Sequence, residues 1–163
     1  MKVRHKAREV ALQILYRYDP GSLKAPPAPS PIVAVPGSVF HGAIPTGSKL
    51  TDDLAYHFSH FQVPEQVREF AALLVIGTLS KIKEIDTELE QKATNWKLER
   101  MSVIDRNLLR MAAYEIQNVS DSDKAMVIDE AIELAKQYSS SDSTSFINGV
   151  LDKFTVLATL PKT

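Results

Sequence analysis

Apolar residues recur every three to four positions through most of this 163-residue chain, and nowhere do they alternate in twos between turn signals. That spacing matches the 3.6-residue turn of an α-helix and leaves a sheet without a buried face. Ala7, Ala11, Ile14 and Tyr18 fall on one stripe, with Val10 beside it. Leu50 to Phe61 reads as a short helix capped by Thr51 or Asp52, and Pro64 followed by Glu65 is a favourable helix start. From there Val75, Leu79, Ile82, Ile85 and Leu89 predict one long helix to about Ala93, with Gly77 as a weak point or a close contact. Ser102-x-x-Asp105 is a variant capping box opening a helix through Ile116, with Ile104, Leu108, Met111 and Ala112 inward. Asp123 to Tyr138 follows, carrying Ile128, Ala131, Ile132, Ala135 and Tyr138. After a serine-rich loop, with Asp142 or Ser143 as the next cap, a last helix is expected from about Thr144 to Leu157 on Phe146, Ile147, Val150, Leu151 and Phe154. The expectation is an all-α domain over residues 1–163, with six or seven helices.

One stretch breaks the pattern. Seven of the nine prolines (Pro20, Pro26, Pro27, Pro29, Pro31, Pro36, Pro45) and four glycines lie between about residues 19 and 49. Proline removes a helix donor and fixes φ, so this segment is expected to be a mobile, partly polyproline-like insert. The absence of cysteine excludes disulfides, thiolate-held metals and thiol catalysis, and fits a cytoplasmic location. No apolar run reaches the ~20 residues that span a bilayer, so no membrane association is expected. Gln13 and the helical periodicity argue against a secretory signal at the start.

Charge is unevenly placed. The whole chain is −1, yet its first eighteen residues hold Lys2, Arg4, Lys6, Arg8 and Arg17 against Glu9 alone, with His5 between them. Cations concentrated on the first turns of a helix make a fixed attachment point for phosphates, ahead of the folded body. Leu12 and Tyr16 point to the far side. Either they build a second buried wall, or Tyr16 offers a ring on which a base stacks near the arginines.

Constellations for catalysis are missing. There is no phosphate-binding glycine loop, no nucleophile elbow and no HExxH. His57-x-x-His60 is the only close histidine pair and lacks a third ligand, so no metal is expected. Ser139 to Ser143 has no histidine nearby in sequence, and the carboxylates of Asp129, Glu130 and Glu133 read as a solvated helix face. No cofactor and no enzymatic activity are expected. Arg100, Asp105, Arg106 and Arg110 form a second charged cluster, in which Arg106 and Arg110 either bind phosphate or pair with Glu99 or Asp105.

Three blocks carry a resemblance. The first is Arg4-x-Lys6-Ala7-Arg8-Glu9-x-Ala11-x-Gln13-x-Leu15-Tyr16. The second joins Ile85-Asp86, Trp96-x-Leu98-x-Arg100 and Asp105-Arg106-x-Leu108-Leu109-Arg110-x-Ala112-x-Tyr114-Glu115. The third runs from Ile128 to Tyr138 and again from Asp142-Ser143 through Phe146-Ile147-Asn148-Gly149-Val150-Leu151-Asp152. On these the chain resembles the NusB family of bacterial transcription antitermination factors. It departs in the long Pro-rich insert, in Asp129 where Asn is usual, in Ser139 to Ser141, and in His5 and Lys6 where arginine is commoner.

The resemblance implies two packed helical bundles and a non-catalytic adaptor that binds the boxA element of ribosomal RNA leader transcripts. It implies as partner the small-subunit ribosomal protein that acts as NusE, within the antitermination complex of RNA polymerase. By position it implies that Arg4, Lys6 and Arg8 contact RNA phosphates, within a basic segment that includes Lys2 and His5. It puts Tyr16 near them and Asp142 and Phe146 on the RNA side. Asp105 and Arg110, with Arg106 between them, are expected at or near the NusE surface. Two alternatives keep the fold. One is a module serving ribosomal RNA modification, for which the chain after Leu157 leaves no room for a cofactor domain. The other is a structural homodimer that hides its RNA surface.

Overall fold

The structure, a computed structural model, describes residues 2–19, 48–93 and 96–155. Most of the Pro-rich segment, the Lys2 side chain and the chain from residue 156 lie outside the described residues. Seven α-helices are found there, and no strand: α1 Lys2–Tyr18, α2 Ser48–His60, α3 Glu65–Ser80, α4 Ile82–Lys92, α5 Val103–Asn118, α6 Lys124–Tyr138 and α7 Ser141–Asp152. A 3-10 turn at Leu98–Arg100 precedes α5. The chain divides into two compact units, one through Leu79 and one from Ser80.

The first unit holds α1, α2 and nearly all of α3. Burial of α1 extends almost around its circumference, with Ala7, Val10, Ala11, Leu12, Ile14, Leu15 and Tyr18 all buried. Leu12 therefore belongs to the second wall, while Tyr16 is half-buried. The α2–α3 corner is a Schellman turn: Val63 N–H donates to the Phe58 carbonyl at 2.9 Å and Gln62 N–H to that of Ser59 at 3.1 Å. Gln62 takes the left-handed conformation, φ 51°, that glycine usually supplies here.

One long helix was expected from residue 65 to about 93; the structure breaks it at Lys81, whose backbone leaves the helical region at φ −115°, ψ 17°. No glycine or proline marks the break, and α3 runs straight through buried Gly77. The stripe crosses the junction in phase, which hides the break from a periodicity argument. The two stripe residues nearest it, Leu79 and Ile82, are only half-buried, whereas Val75, Ile85 and Leu89 are buried. The Lys81 ammonium donates to Asn118 Oδ1 at 2.8 Å, tying the junction to the end of α5.

In the second unit α5 is the hub, packed on α4, α6 and α7, while α6 also packs on α7. Ile104, Leu108, Met111 and Ala112 are buried as the stripe requires, joined by Leu109, Ala113 and Ile116. Ser102 caps α5 by accepting from Asp105 N–H, and Asp123 caps α6 by accepting from Met126 N–H. On α6, Ile132 is only half-buried and Leu134 takes the core position instead. The last helix starts at Ser141 and ends at Asp152, earlier at both ends than expected, although Phe154 still enters the core.

Candidate nucleic-acid interface

In α1 the basic residues sit on a packed helix, not on a rod ahead of the fold. Arg8 is only 3% exposed. Its guanidinium lies 5.5 Å from the Phe70 ring centroid, and that of Arg4 lies 4.4 Å from the same ring. One aromatic face on α3 thus holds two planar cations one helical turn apart, an arrangement that fixes their direction and weakens their hydration. Lys6 keeps half its side chain in solvent and pairs with Glu9 at 3.0 Å. His5 is half-buried. Burial and the charge of Asp19 hold the Tyr16 phenol protonated to above its usual pKa, so it stays a neutral donor.

At the other end of α1, Arg17 and the Tyr18 hydroxyl both donate to Asp53 Oδ2 of α2. Arg17 Nη1 lies 3.2 Å from His57 Nδ1. Arginine can only donate, so His57 Nδ1 accepts and the ring proton sits on Nε2, which is buried and has no hydrogen-bond partner. Burial, then the charges of Arg17 and His60, lower the His57 pKa to about 4. His57 is buried and His60 exposed, although both rings meet Phe61, at 4.6 and 4.8 Å between centroids, and His60 also stacks on Tyr56. Among the described residues, no group of three His, Asp or Glu side chains comes together to hold a metal.

The second unit gathers the other sequence-derived positions. Asp105 accepts from Ser139 Oγ at 2.7 Å through one carboxylate oxygen and from Ser143 Oγ at 2.8 Å through the other. Its carboxylate is therefore committed to the serine-rich loop instead of closing the capping box. That loop is drawn into the start of α7, which explains the early helix onset. Arg106 is buried and donates to the Leu98 carbonyl at 3.3 Å. Arg110 forms a bidentate pair with Asp86 of α4, at 2.7 and 2.9 Å, and reaches Asn107 at 3.2 Å. Spacing along α5 cannot reveal a partner on α4, so this pair was not foreseen.

Beside Asp105 a cleft opens, lined by Trp96, Arg100, Met101, Ser102, Asp105, Ser140, Asp142, Ser143 and Phe146. A second cleft shares Trp96 and Phe146 and continues along Lys92, Ala93, Ser145, Gly149, Val150 and Lys153. Each is about 250–260 Å³, below the ~300–1,000 Å³ common for enclosed small-molecule sites. Asp142 and Phe146 are thus brought together at one cleft. Trp96 had no role in the sequence reading beyond its place in a motif, yet it is 53% exposed with its ring centroid 5.8 Å from that of Phe146. The signal available was a lone tryptophan just before the helical pattern of α5.

The described residues form an all-α protein in two helical units, with cations pinned on an aromatic ring in one and cation-rimmed aromatic clefts in the other. The family model described as NusB matches residues 43–156, and the chain belongs to the NusB family. It is 34% identical over 153 residues to a transcription antitermination protein NusB of Sorangium cellulosum, covering 94% of this chain and 91% of that one. A transcription antitermination protein NusB of Trichlorobacter lovleyi is 36% identical over 153 residues, covering 94% and 90%. Among solved structures, T. maritima NusB matches with a TM-score of 0.66 at 24% identity, covering 93% of this chain and 89% of that one. A chain from the crystal structure of antitermination factors NusB and NusE in complex with dsRNA matches at 0.68 and 22%, covering 94% and 96%. At these identities the structural likeness speaks for the fold alone. No described helix is long and apolar enough to cross a membrane.

Proposed function

We propose that this chain is a non-catalytic RNA-binding adaptor in transcription antitermination, acting in the cytoplasm. It binds the boxA element of ribosomal RNA leader transcripts together with the ribosomal protein NusE, and so keeps the nascent RNA beside elongating polymerase. Family membership supports the role, and the observation that carries it is the pinning of Arg4 and Arg8 against Phe70. Cations held by an aromatic face are ordered before a phosphate arrives, so binding loses less side-chain entropy.

In this reading Lys2, Arg4, His5, Lys6 and Tyr16 meet RNA from the first unit, while Arg8, too buried to touch it, holds the Phe70 face behind Arg4. Asp142 and Phe146 meet it from the second, where a carboxylate accepts from an exocyclic amine and a ring stacks on a base. Asp105, Arg106 and Arg110 serve the partner surface by fixing its shape. Asp105 sets the 139–143 loop, Arg106 holds the 3-10 turn, and Arg110 clamps α4 to α5. The test is to assemble the chain with NusE and compare retention of boxA RNA with a scrambled sequence in a filter assay. The expected result is at least about tenfold tighter binding of boxA, within the range that a few base contacts supply. Equal retention of the two RNAs would refute the assignment.

A further inference from the structure

We propose that the cleft formed by Trp96, Phe146, Gly149, Lys92 and Lys153 is a base-stacking subsite for single-stranded RNA. It would take the nucleotide adjacent to one in the Asp142 cleft, with Trp96 as the wall between them. This rests on the RNA-binding reading above and assigns it a place not identified by the sequence.

Three independent observations converge there. Trp96 is the largest exposed hydrophobic ring among the described residues, and it lines both clefts. An indole half in water costs hydrophobic free energy that the fold recovers nowhere else, whereas every base offers a face to cover it. Gly149 lies inside α7, where glycine destabilises a helix relative to alanine. A Cβ added there would meet nothing within 4 Å, so internal packing does not require the glycine. What its lack of a side chain provides is a flat cleft floor, on which a planar ring rests directly against the backbone.

Charge names the occupant. Lys92 is held at the rim by Glu88 at 3.5 Å and by the Phe154 ring at 5.1 Å. Lys153 is held there by its 2.8 Å bond to the Lys92 carbonyl. Two ammonium groups flank the cleft, and Arg100 lines the neighbouring one. Aromatic walls between cations fit alternating bases and phosphates of an unpaired strand. A duplex keeps its bases stacked inside and cannot offer them.

Trp96 is the sole tryptophan of the chain, so its emission reports the two clefts it lines, and Gly149→Val tells them apart. The experiment titrates the full chain with a single-stranded boxA oligonucleotide and with its duplex, following fluorescence and filter retention in parallel. The single strand should quench Trp96 emission and the duplex should not. Trp96→Ala should weaken retention roughly five- to a hundredfold, the worth of one stacked base, and Trp96→Phe should restore most of it. Gly149→Val, which the free protein accommodates, should fill the floor and weaken retention without lowering the melting temperature by more than a few degrees. Retention of the single strand with unchanged emission and full affinity in Trp96→Ala overturns this inference and leaves the RNA reading standing. Quenching by NusE instead of RNA likewise overturns it, and gives the cleft to protein. No RNA retention by the wild-type chain, even when assembled with NusE, removes both readings.

Discussion

The two helical units solve the same packing problem with polar groups of different quality. In the second unit the interior ionic and hydroxyl contacts come in matched sets: Asp105 uses both oxygens on serines, Arg110 grips Asp86 with two nitrogens, and Glu115 accepts from Ser122 at 2.9 Å. The first unit instead funnels Arg17 and Tyr18 onto a single carboxylate, and leaves His57 Nε2 and Thr78 Oγ1 buried without hydrogen-bond partners. A buried polar atom without a partner costs about 1–3 kcal/mol. Sensitivity to acid and to single substitutions should therefore be concentrated in α1–α3, the unit that carries the basic cluster, while α4–α7 form the firmer platform for the clefts.

The largest effect expected from breaking this contrast is at Asp53. Arg17 and Asp53 expose only 10% and 11% of their side chains. Asp53→Ala removes the carboxylate on which a nearly buried guanidinium and the Tyr18 hydroxyl converge, and should cost about 3 kcal/mol in urea unfolding. Asp86→Ala removes the corresponding carboxylate from the second unit, where Asp86 is 28% exposed. Its cost should be smaller, about 1–2 kcal/mol, since water can replace it on Arg110. Hydrogen exchange read helix by helix distinguishes the two. Equal losses, or faster exchange in α5–α7 for Asp53→Ala, would erase the contrast.

Acid sharpens it next. The folded-state pKa of His57 is lowered to about 4 from 6.5, so the unfolded chain takes up a proton that the folded one refuses. The stabilisation is complete above pH 6.5 and is lost as pH falls from there towards 4. Over that window the wild type should lose on the order of 2 kcal/mol that His57→Gln, which cannot titrate, does not lose. The check is the difference between the two proteins' urea midpoints at pH 7.5 and pH 4.5. Parallel pH profiles would contradict the burial of a neutral His57.

The smallest effect is at the α2–α3 corner. Gln62→Gly relieves a left-handed backbone conformation in a complete Schellman turn and should stabilise the first unit by about 0.5–1 kcal/mol. A calorimetric melting temperature that falls instead would show that the Gln62 side chain contributes more than its backbone strain costs.

Much of the fold was legible because a buried stripe must recur at the helical period. The stripes of α5 and α7 and the cap Ser102 stand where the sequence puts them, apart from Phe146 at the clefts. What stayed hidden depends on contacts between elements. The break at Lys81 leaves the stripe in phase, and the grip of Arg110 on Asp86 spans two helices. The loop serines gave no hint that Asp105 would claim them and start α7 early. Charge was legible as composition but not as position. Lys2 to Arg8 reads as an extension ahead of the fold, yet packing draws Arg8 to 3% exposure, because α1 is covered on nearly every side. The candidate site was legible in part. Asp142 and Phe146 came from the family resemblance, and Trp96 needed the structure to bring it beside Phe146.

The RNA-binding role of the basic helix is best tested by the salt dependence of boxA retention by the full chain, compared with Lys6→Ala. Lys6 is half-exposed, so its replacement removes a charge while leaving the helix packing of Arg4 and Arg8 untouched. Lys6→Ala should bind more weakly, with a log–log salt slope shallower by about 0.7, the value of one phosphate contact on a single strand. An unchanged slope with unchanged affinity would contradict that role.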